Sequence, residues 1–245
     1  MNLINSALMP SPTAYLIRGA VLEGCSAAGK TSVLKALKRR LAELELERSI
    51  VILSEHYSQA LQKIGGEYRL LTPDEHRSLL DERLHALESL QQWGLVLGSA
   101  SIQSRGVFFV LERFHLNHRI AYAQLSEATE QEARLKKLHA VCFLLTVSES
   151  HVAQRLTVRL RASGRSCDPQ AVAAASDEFM IEQAKFVQAA ERSSLSTIVI
   201  NTDDQNWQRC ADLILEHLST EPNKALEPTR LLVTDRAPSS TLRAK

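Results

Sequence analysis

Residues Gly24 to Thr31 read Gly-Cys-Ser-Ala-Ala-Gly-Lys-Thr, a complete G-x-x-x-x-G-K-[ST] element between the apolar run Leu16 to Leu22 and a helix-period segment. No other feature constrains the fold as strongly. A strand must end and a helix must begin on a loop whose backbone N–H groups converge on an anion. The glycines let the loop wrap closely, Lys30 reaches toward β and γ phosphates, and Thr31 offers a hydroxyl to Mg²⁺. The loop predicts binding of a nucleoside triphosphate, with Gly24, Cys25, Ser26, Ala27, Ala28, Gly29, Lys30 and Thr31 as nucleotide-binding candidates. Lys30 is read as an exposed loop residue whose replacement would remove activity without unfolding the chain.

Apolar, β-rich runs recur along the chain at Tyr15 to Glu23, Ser49 to Ser54, Val107 to Glu112, Val141 to Val147 and Thr197 to Thr202. Helix-period segments separate them: Lys30 to about Glu47, Pro73 to about Trp93, Phe114 to Leu125, Glu130 to Leu138, Glu149 to Ala162, Ala171 to Arg192 and Asn206 to Leu218. Such alternation predicts a parallel sheet covered by helices, with functional groups gathered at the C-terminal strand ends. Residues 1–14 read as an N-terminal extension and 15–219 as one domain, with a lid at about 149–168. Residues 220–245 lack a usable apolar period and read as a disordered tail, with Leu231 to Val233 as a lesser candidate for an edge strand.

The formal charge of +1 supplies no basic field for nucleic acid or an anionic membrane, so a partner has to be recognised by a site. The four cysteines are far apart and form no C-x-x-C, which fits a reducing cytoplasm rather than a disulfide framework or zinc site. Cys25 reads as a tolerated small residue. No apolar run reaches the roughly 18 to 20 residues that span a bilayer.

Phosphoryl transfer needs a cradle, a cation, basic groups around the moving phosphate and a group that orients or deprotonates the acceptor. Glu112-Arg113 leaves the third strand candidate as a carboxylate and a guanidinium side by side. Arg155 and Arg159 lie on one helix face, a costly pairing unless a polyanion or solvent screens it, and Arg161 and Arg165 follow. Glu55, at the end of the second strand candidate, is suited to take a proton from a hydroxyl, and His56 is a weaker choice.

These pieces, in this order, resemble the deoxynucleoside kinase and thymidylate kinase group of P-loop kinases. Leu22 to Thr31 is similar to the E-G-x-x-A-A-G-K-[ST] form of that group, Glu112 to Arg119 resembles its E-R-S-x-x-S-D-R stretch, and Arg155, Arg159 and Arg161 match its R-x-x-x-R-x-R lid. The resemblance implies a three-layer α/β P-loop NTPase fold with a five-stranded parallel sheet, flanking helices and a helical lid.

The resemblance further implies ATP and Mg²⁺ as cofactors and a small-molecule acceptor as partner, with a homodimer carried as an expectation for assembly. By its terms Lys30, Glu55 and Arg113 are catalytic. Thr31 and Glu112 hold the metal, and the lid arginines close on ATP. Asn201 and Asp203 lie beside the adenine, and Glu55, Arg83, Glu112, Arg113 and His118 meet the acceptor. The chain departs from the pattern at His56 for proline, Phe114 for serine or tyrosine, and His118 for a base-reading aspartate.

The resulting expectation is phosphoryl transfer to a small acceptor, chiefly the 5′-hydroxyl of a (deoxy)nucleoside. A nucleoside monophosphate, another small hydroxyl compound and a non-catalytic ATP-binding regulator are the alternatives. The catalytic assignment requires Glu55, Arg113 and His118 to converge on one cleft with Lys30.

Overall fold

In a computed structural model, residues 16–43, 49–97, 106–123, 128–219 and 232–233 are described. The strands β1 (Ile17–Glu23), β5 (Val107–Glu112), β6 (Ala140–Thr146) and β7 (Thr197–Asn201) are nearly continuous in buried apolar residues, as strands covered on both faces must be. With β2 (Ser49–Leu53) they form the expected five-stranded parallel sheet, in the order β2-β5-β1-β6-β7. Beyond β7 the sheet gains β8 (Leu232–Val233), so two residues of the segment read as a tail add a sixth strand. The remainder of that segment and residues 1–14 lie outside the described residues.

Helices cover the sheet: α1 (Lys30–Glu43), α2 (Pro73–Leu97), α3 (His115–Ala121), α4 (Thr129–Lys137), α5 (Glu149–Ala162), α6 (Pro169–Arg192) and α7 (Trp207–Ser219). On α1 the buried face is Val33, Leu34, Ala36, Leu37 and Leu41, and it packs beside α7. Helix α2 starts at Pro73 because Thr72 and Glu75 form a reciprocal cap: Glu75 N–H donates to Thr72 Oγ1 at 3.2 Å and Thr72 N–H to Glu75 Oε2 at 2.8 Å. Helix α6 starts at Pro169 rather than Ala171, since Asp168 Oδ1 accepts from Ala171 N–H at 2.8 Å.

One element has no counterpart in the sequence-based expectations. Strands β3 (Leu61–Ile64) and β4 (Glu67–Leu70) form an antiparallel hairpin turned at Gly65-Gly66, whose φ values of 62° and 95° suit a two-residue turn. Seven of its eight strand residues are exposed, so no buried face imposed a two-residue apolar alternation on the sequence. A one-turn 3₁₀ helix (Glu55–Tyr57) joins β2 to this hairpin.

Strand β1 lies between β5 and β6, with Leu22 opposite Glu112 and Glu23 opposite Leu144. The loop leaving β1 therefore opens where the sheet order reverses, the place at which open parallel sheets present ligand sites.

Candidate active site

The loop Gly24 to Thr31 is shaped by backbone that side chains rarely allow. Gly24 and Gly29 have φ of 129° and 102°, and a Cβ on either would stand 2.5 Å from the Leu145 carbonyl oxygen or the Trp207 ring. Ala27 also sits at positive φ, 75°, a strain of roughly 1 kcal/mol for a residue with a Cβ. Inside the loop Lys30 Nζ donates to the carbonyls of Gly24 at 2.8 Å and Cys25 at 2.9 Å.

Lys30 is buried, at 5% exposure, which corrects its reading as an exposed loop residue. Burial, then the Arg113 charge, pulls its ammonium down to about 8 against the opposing pull of Glu55, Glu23 and Glu112. The cation is thus under-solvated and would gain from an anion in the loop. The Cys25 thiol is also buried, and burial first, then Glu182, pushes it up to about 12, so it is no reactive thiolate.

Lys30, Thr31, Glu55, Arg113 and Arg159 all line one cleft. Arg113 Nε–H donates to Glu55 Oε2 at 2.9 Å, while its backbone N–H bonds the Leu22 carbonyl at 3.0 Å and its φ is 52°. Two strand ends, β2 through the 3₁₀ turn and β5 directly, thus bring a carboxylate and a guanidinium to the mouth of the loop.

Glu112, one residue earlier, is buried, and its Oε1 has no hydrogen-bond partner. Burial raises its carboxyl above the ordinary range, with Lys30 opposing. No group of three or more His, Cys, Asp or Glu side chains that could hold a metal ion occurs among the described residues. Thr31 lines the cleft and Glu112 does not, so the Thr31 hydroxyl is the cleft donor that fits Mg²⁺, an ion that keeps several waters and takes one or two protein ligands plus phosphates, and the unpartnered Glu112 Oε1 is buried outside the lining.

The three lid arginines have different fates. Arg155 is buried: its guanidinium bonds the Thr202 carbonyl and lies 5.2 Å from the centre of the Trp207 ring. It lines the cleft but is committed to holding α5 against the loop after β7. Arg159, one turn on, is exposed and faces the cleft, whereas Arg161 is exposed and lies outside the lining.

Asn201 and Asp203 also lie outside the lining. Asn201 Nδ2 donates to Ser148 Oγ and Asp203 Oδ2, both at 3.0 Å, and Ser148 N–H donates to Asp203 Oδ1 at 2.8 Å. Their polar atoms tie the end of β7 to the start of α5, and Gln205 and Trp207 are the residues of this region that reach the cleft.

On the acceptor side the expectations need two corrections. Arg83 does not line the cleft: Nε–H bonds the Tyr57 carbonyl at 3.2 Å and Nη1 pairs with Glu82 at 3.2 Å, so it braces the turn that carries Glu55. His118 does not converge with Lys30, Glu55 and Arg113, so the required convergence fails at His118 and the catalytic assignment is cut back to the three residues that share the cleft. It is buried on α3, its Nδ1 2.9 Å from His76 Nδ1, against the ring of Tyr122. Burial, then His76, Arg77 and Arg119, holds its imidazole down at about 4. His118 is carried over from the motif position of a base-reading aspartate, and a motif position does not show which way a side chain on a short helix faces.

Two residues escaped the sequence reading. Trp207 closes the loop at Gly29 and faces the cleft, but it lies far along the chain and belongs to no motif. Glu23, whose position just before Gly24 was the available signal, is fully buried, and its Oε1 accepts from Phe114 N–H at 2.9 Å and Leu116 N–H at 3.0 Å. Burial lifts its carboxyl to about 7 against those two hydrogen bonds.

The fold is similar to that of the YorR protein from Bacillus subtilis, solved in complex with phosphorylated GDP, at 14% identity and a TM-score of 0.50, over 82% of this chain and 95% of that one. A thymidylate kinase from Ehrlichia chaffeensis aligns at 13% identity and a TM-score of 0.45, over 83% of this chain and 98% of that one. No protein-family model matches the chain, and no curated protein matches it. The architecture is a P-loop NTPase fold. Among the described residues no helix is long and apolar enough to cross a membrane.

Proposed function

We propose that the chain is an ATP- and Mg²⁺-dependent kinase that phosphorylates a hydroxyl of a small acceptor, chiefly the 5′-hydroxyl of a (deoxy)nucleoside. The observation that carries this reading is the Glu55–Arg113 pair beside the buried Lys30 in one cleft. A hydrolytic switch needs no carboxylate aimed at an acceptor. A kinase of hydroxyls does, because the attacking oxygen must lose its proton.

In this reading the loop N–H groups and Lys30 hold the donor phosphates. Glu55 takes the acceptor proton, and Arg113, fixed by its bond to Glu55, presents its remaining N–H groups to the moving phosphoryl group. Arg159 closes from α5. Thr31 would hold Mg²⁺, which when bound neutralises charge on the phosphate oxygens. The likeness to YorR, solved in complex with phosphorylated GDP, agrees with a nucleoside or nucleotide as the substrate class.

A hydroxyl acceptor is favoured over a monophosphate by the state of the arginines around the Glu55 turn. Arg69 is held in both directions by Glu75, Arg77 pairs with Asp74 and Arg83 with Glu82. An acceptor phosphate would have to displace the Glu75 carboxylate to engage Arg69 through both of its terminal nitrogens.

The test offers purified protein a panel of nucleosides, nucleoside monophosphates and other small hydroxyl compounds with ATP and Mg²⁺. Turnover of nucleosides, lost in Lys30→Ala and Glu55→Gln, is expected. Tight ATP binding with no acceptor turned over would sink the kinase reading in favour of a regulatory ATP-binding protein.

A further inference from the structure

Ser58 ends the 3₁₀ turn that carries Glu55 and is completely buried. Its backbone N–H bonds the Glu55 carbonyl, and its hydroxyl donates to the Glu112 carbonyl, the peptide oxygen directly before Arg113. One small side chain therefore joins the segment bearing Glu55 to the segment bearing Arg113. On its other side the Ser58 carbonyl lies 2.8 Å from His76 Nε2, and His76 Nδ1 lies 2.9 Å from His118 Nδ1.

The proton positions along this chain are fixed by elimination. A carbonyl only accepts, so His76 Nε2 must donate to Ser58. A neutral imidazole with its proton on Nε2 has a bare Nδ1, so His118 Nδ1 must be the donor across the 2.9 Å contact. Burial keeps His76 below its ordinary range, and burial with His76, Arg77 and Arg119 nearby does the same for His118. Both rings are therefore neutral at neutral pH. The hydrogen bonds run in one direction, from His118 on α3 through His76 on α2 and Ser58 to the end of β5.

We infer that His76 and His118 are positioning residues that hold the Glu55 turn against Arg113 through Ser58. This role rests on the proposed reading of the Glu55–Arg113 pair. Neither imidazole touches the cleft, so both act through the backbone they fix. Asn117 Oδ1, which accepts from Ala60 N–H at 2.9 Å, and Tyr122 Oη, which donates to the Leu71 carbonyl at 2.6 Å, tether the chain beyond Ser58 to the same short helix.

The test follows the Arg113 Nε–H resonance in ¹⁵N-labelled full-length protein, assigned by its loss in Arg113→Lys. His118→Leu removes the first donor, His118→Asn keeps an N–H at the place of Nδ1, and Ser58→Ala removes the link to Glu112. Exchange of the Arg113 Nε–H with water should quicken about tenfold or more in His118→Leu and Ser58→Ala, and stay within about twofold of wild type in His118→Asn. The kcat for a nucleoside should follow the same order while the KM for ATP stays level.

Unchanged exchange in His118→Leu and Ser58→Ala overturns the inference, as does equal loss in His118→Asn and His118→Leu. Where His118→Leu does not fold, Ser58→Ala carries the test. A wild-type protein that turns over no acceptor, with the exchange rates ordered as expected, removes the kinase reading and leaves the positioning link standing.

Discussion

Arg113 aims its Nε–H at the Glu55 carboxylate, 2.9 Å away, from a backbone turned into the left-handed region at φ 52°. A residue with a Cβ is disfavoured there, so the geometry is maintained by what surrounds it: the bond from Arg113 N–H to Leu22 and the ion pair itself.

Arg113→Gly should separate stability from turnover. Glycine relieves the left-handed strain, and the partly exposed ion pair contributes little, so the denaturation midpoint should stay within about 1 kcal/mol of wild type. Under the proposed function turnover should fall about 100-fold or more, because the guanidinium assigned to face developing charge would be gone. Denaturant titration and steady-state kinetics on the same preparation check both halves.

Lys30→Met should stabilise the protein without nucleotide. A base whose folded value is lowered, here from 10.5 to about 8, costs the folded state while it is charged, that is, below about pH 8, and the cost disappears as pH rises to 10.5. The variant escapes that cost but leaves two loop carbonyls without their donor, so a net gain of about 1 kcal/mol is expected at pH 7, shrinking above pH 8. In wild type, triphosphate affinity should fall as pH rises past about 8, with proton uptake on binding visible by calorimetry in buffers of different ionisation enthalpy.

Trp207 should report on the loop. It is one of two tryptophans, and the other, Trp93, is exposed on α2. In a Trp93→Phe background ATP should change the emission, and adding Gly29→Ala should abolish the change, because the new methyl meets the indole ring at 2.5 Å. That clash should also lower stability by about 1–3 kcal/mol.

His115→Leu should raise stability and flatten its acid limb. Both His115 ring nitrogens are buried without hydrogen-bond partners, and burial holds the imidazole down at about 4. Neutral His115 and His118 favour the folded state above pH 6.5, and that stability is lost as pH falls from 6.5 toward 4. Glu23, raised to about 7, works the other way and loses stability as pH rises from 4.5 to 7. Two histidines outweigh one carboxyl, so wild type should be weaker in urea at pH 4.5 than at pH 7.5. The variant should gain about 1–2 kcal/mol at neutral pH by shedding a buried unsatisfied N–H.

The parallel sheet was legible because short apolar runs, of which β1, β5, β6 and β7 are buried and β2 is half-exposed, alternate with helix-period segments, and the loop at Gly24 because its chemistry is local. Glu55 and Arg113 were legible as strand-end residues. The His76–His118 contact was not, since 42 positions separate the two and the contact depends on the packing of α2 against α3. The same holds for Arg155: spacing put it on a face with Arg159, but only the fold shows it spent on Trp207 and Thr202. The exposed hairpin left no apolar alternation to read, only the Gly65-Gly66 turn.

The central place of β1 has a further consequence. On one side of it, residues 49–123 build β2, the hairpin, α2, β5 and α3, with Glu55, Arg113 and the histidine pair; on the other, residues 140–219 build β6, α5, α6, β7 and α7, with Arg159 and Trp207. Under the proposed function these are the acceptor and donor sides, each encoded as one contiguous block. A single genetic crossover between codons 124 and 139 would exchange the block bearing Arg159 and Trp207 without rewriting the one bearing Glu55. Under that reading the residues around Glu55 and those around Arg159 and Trp207 can be recombined in the laboratory as separate blocks, with the Gly24 to Thr31 loop common to both.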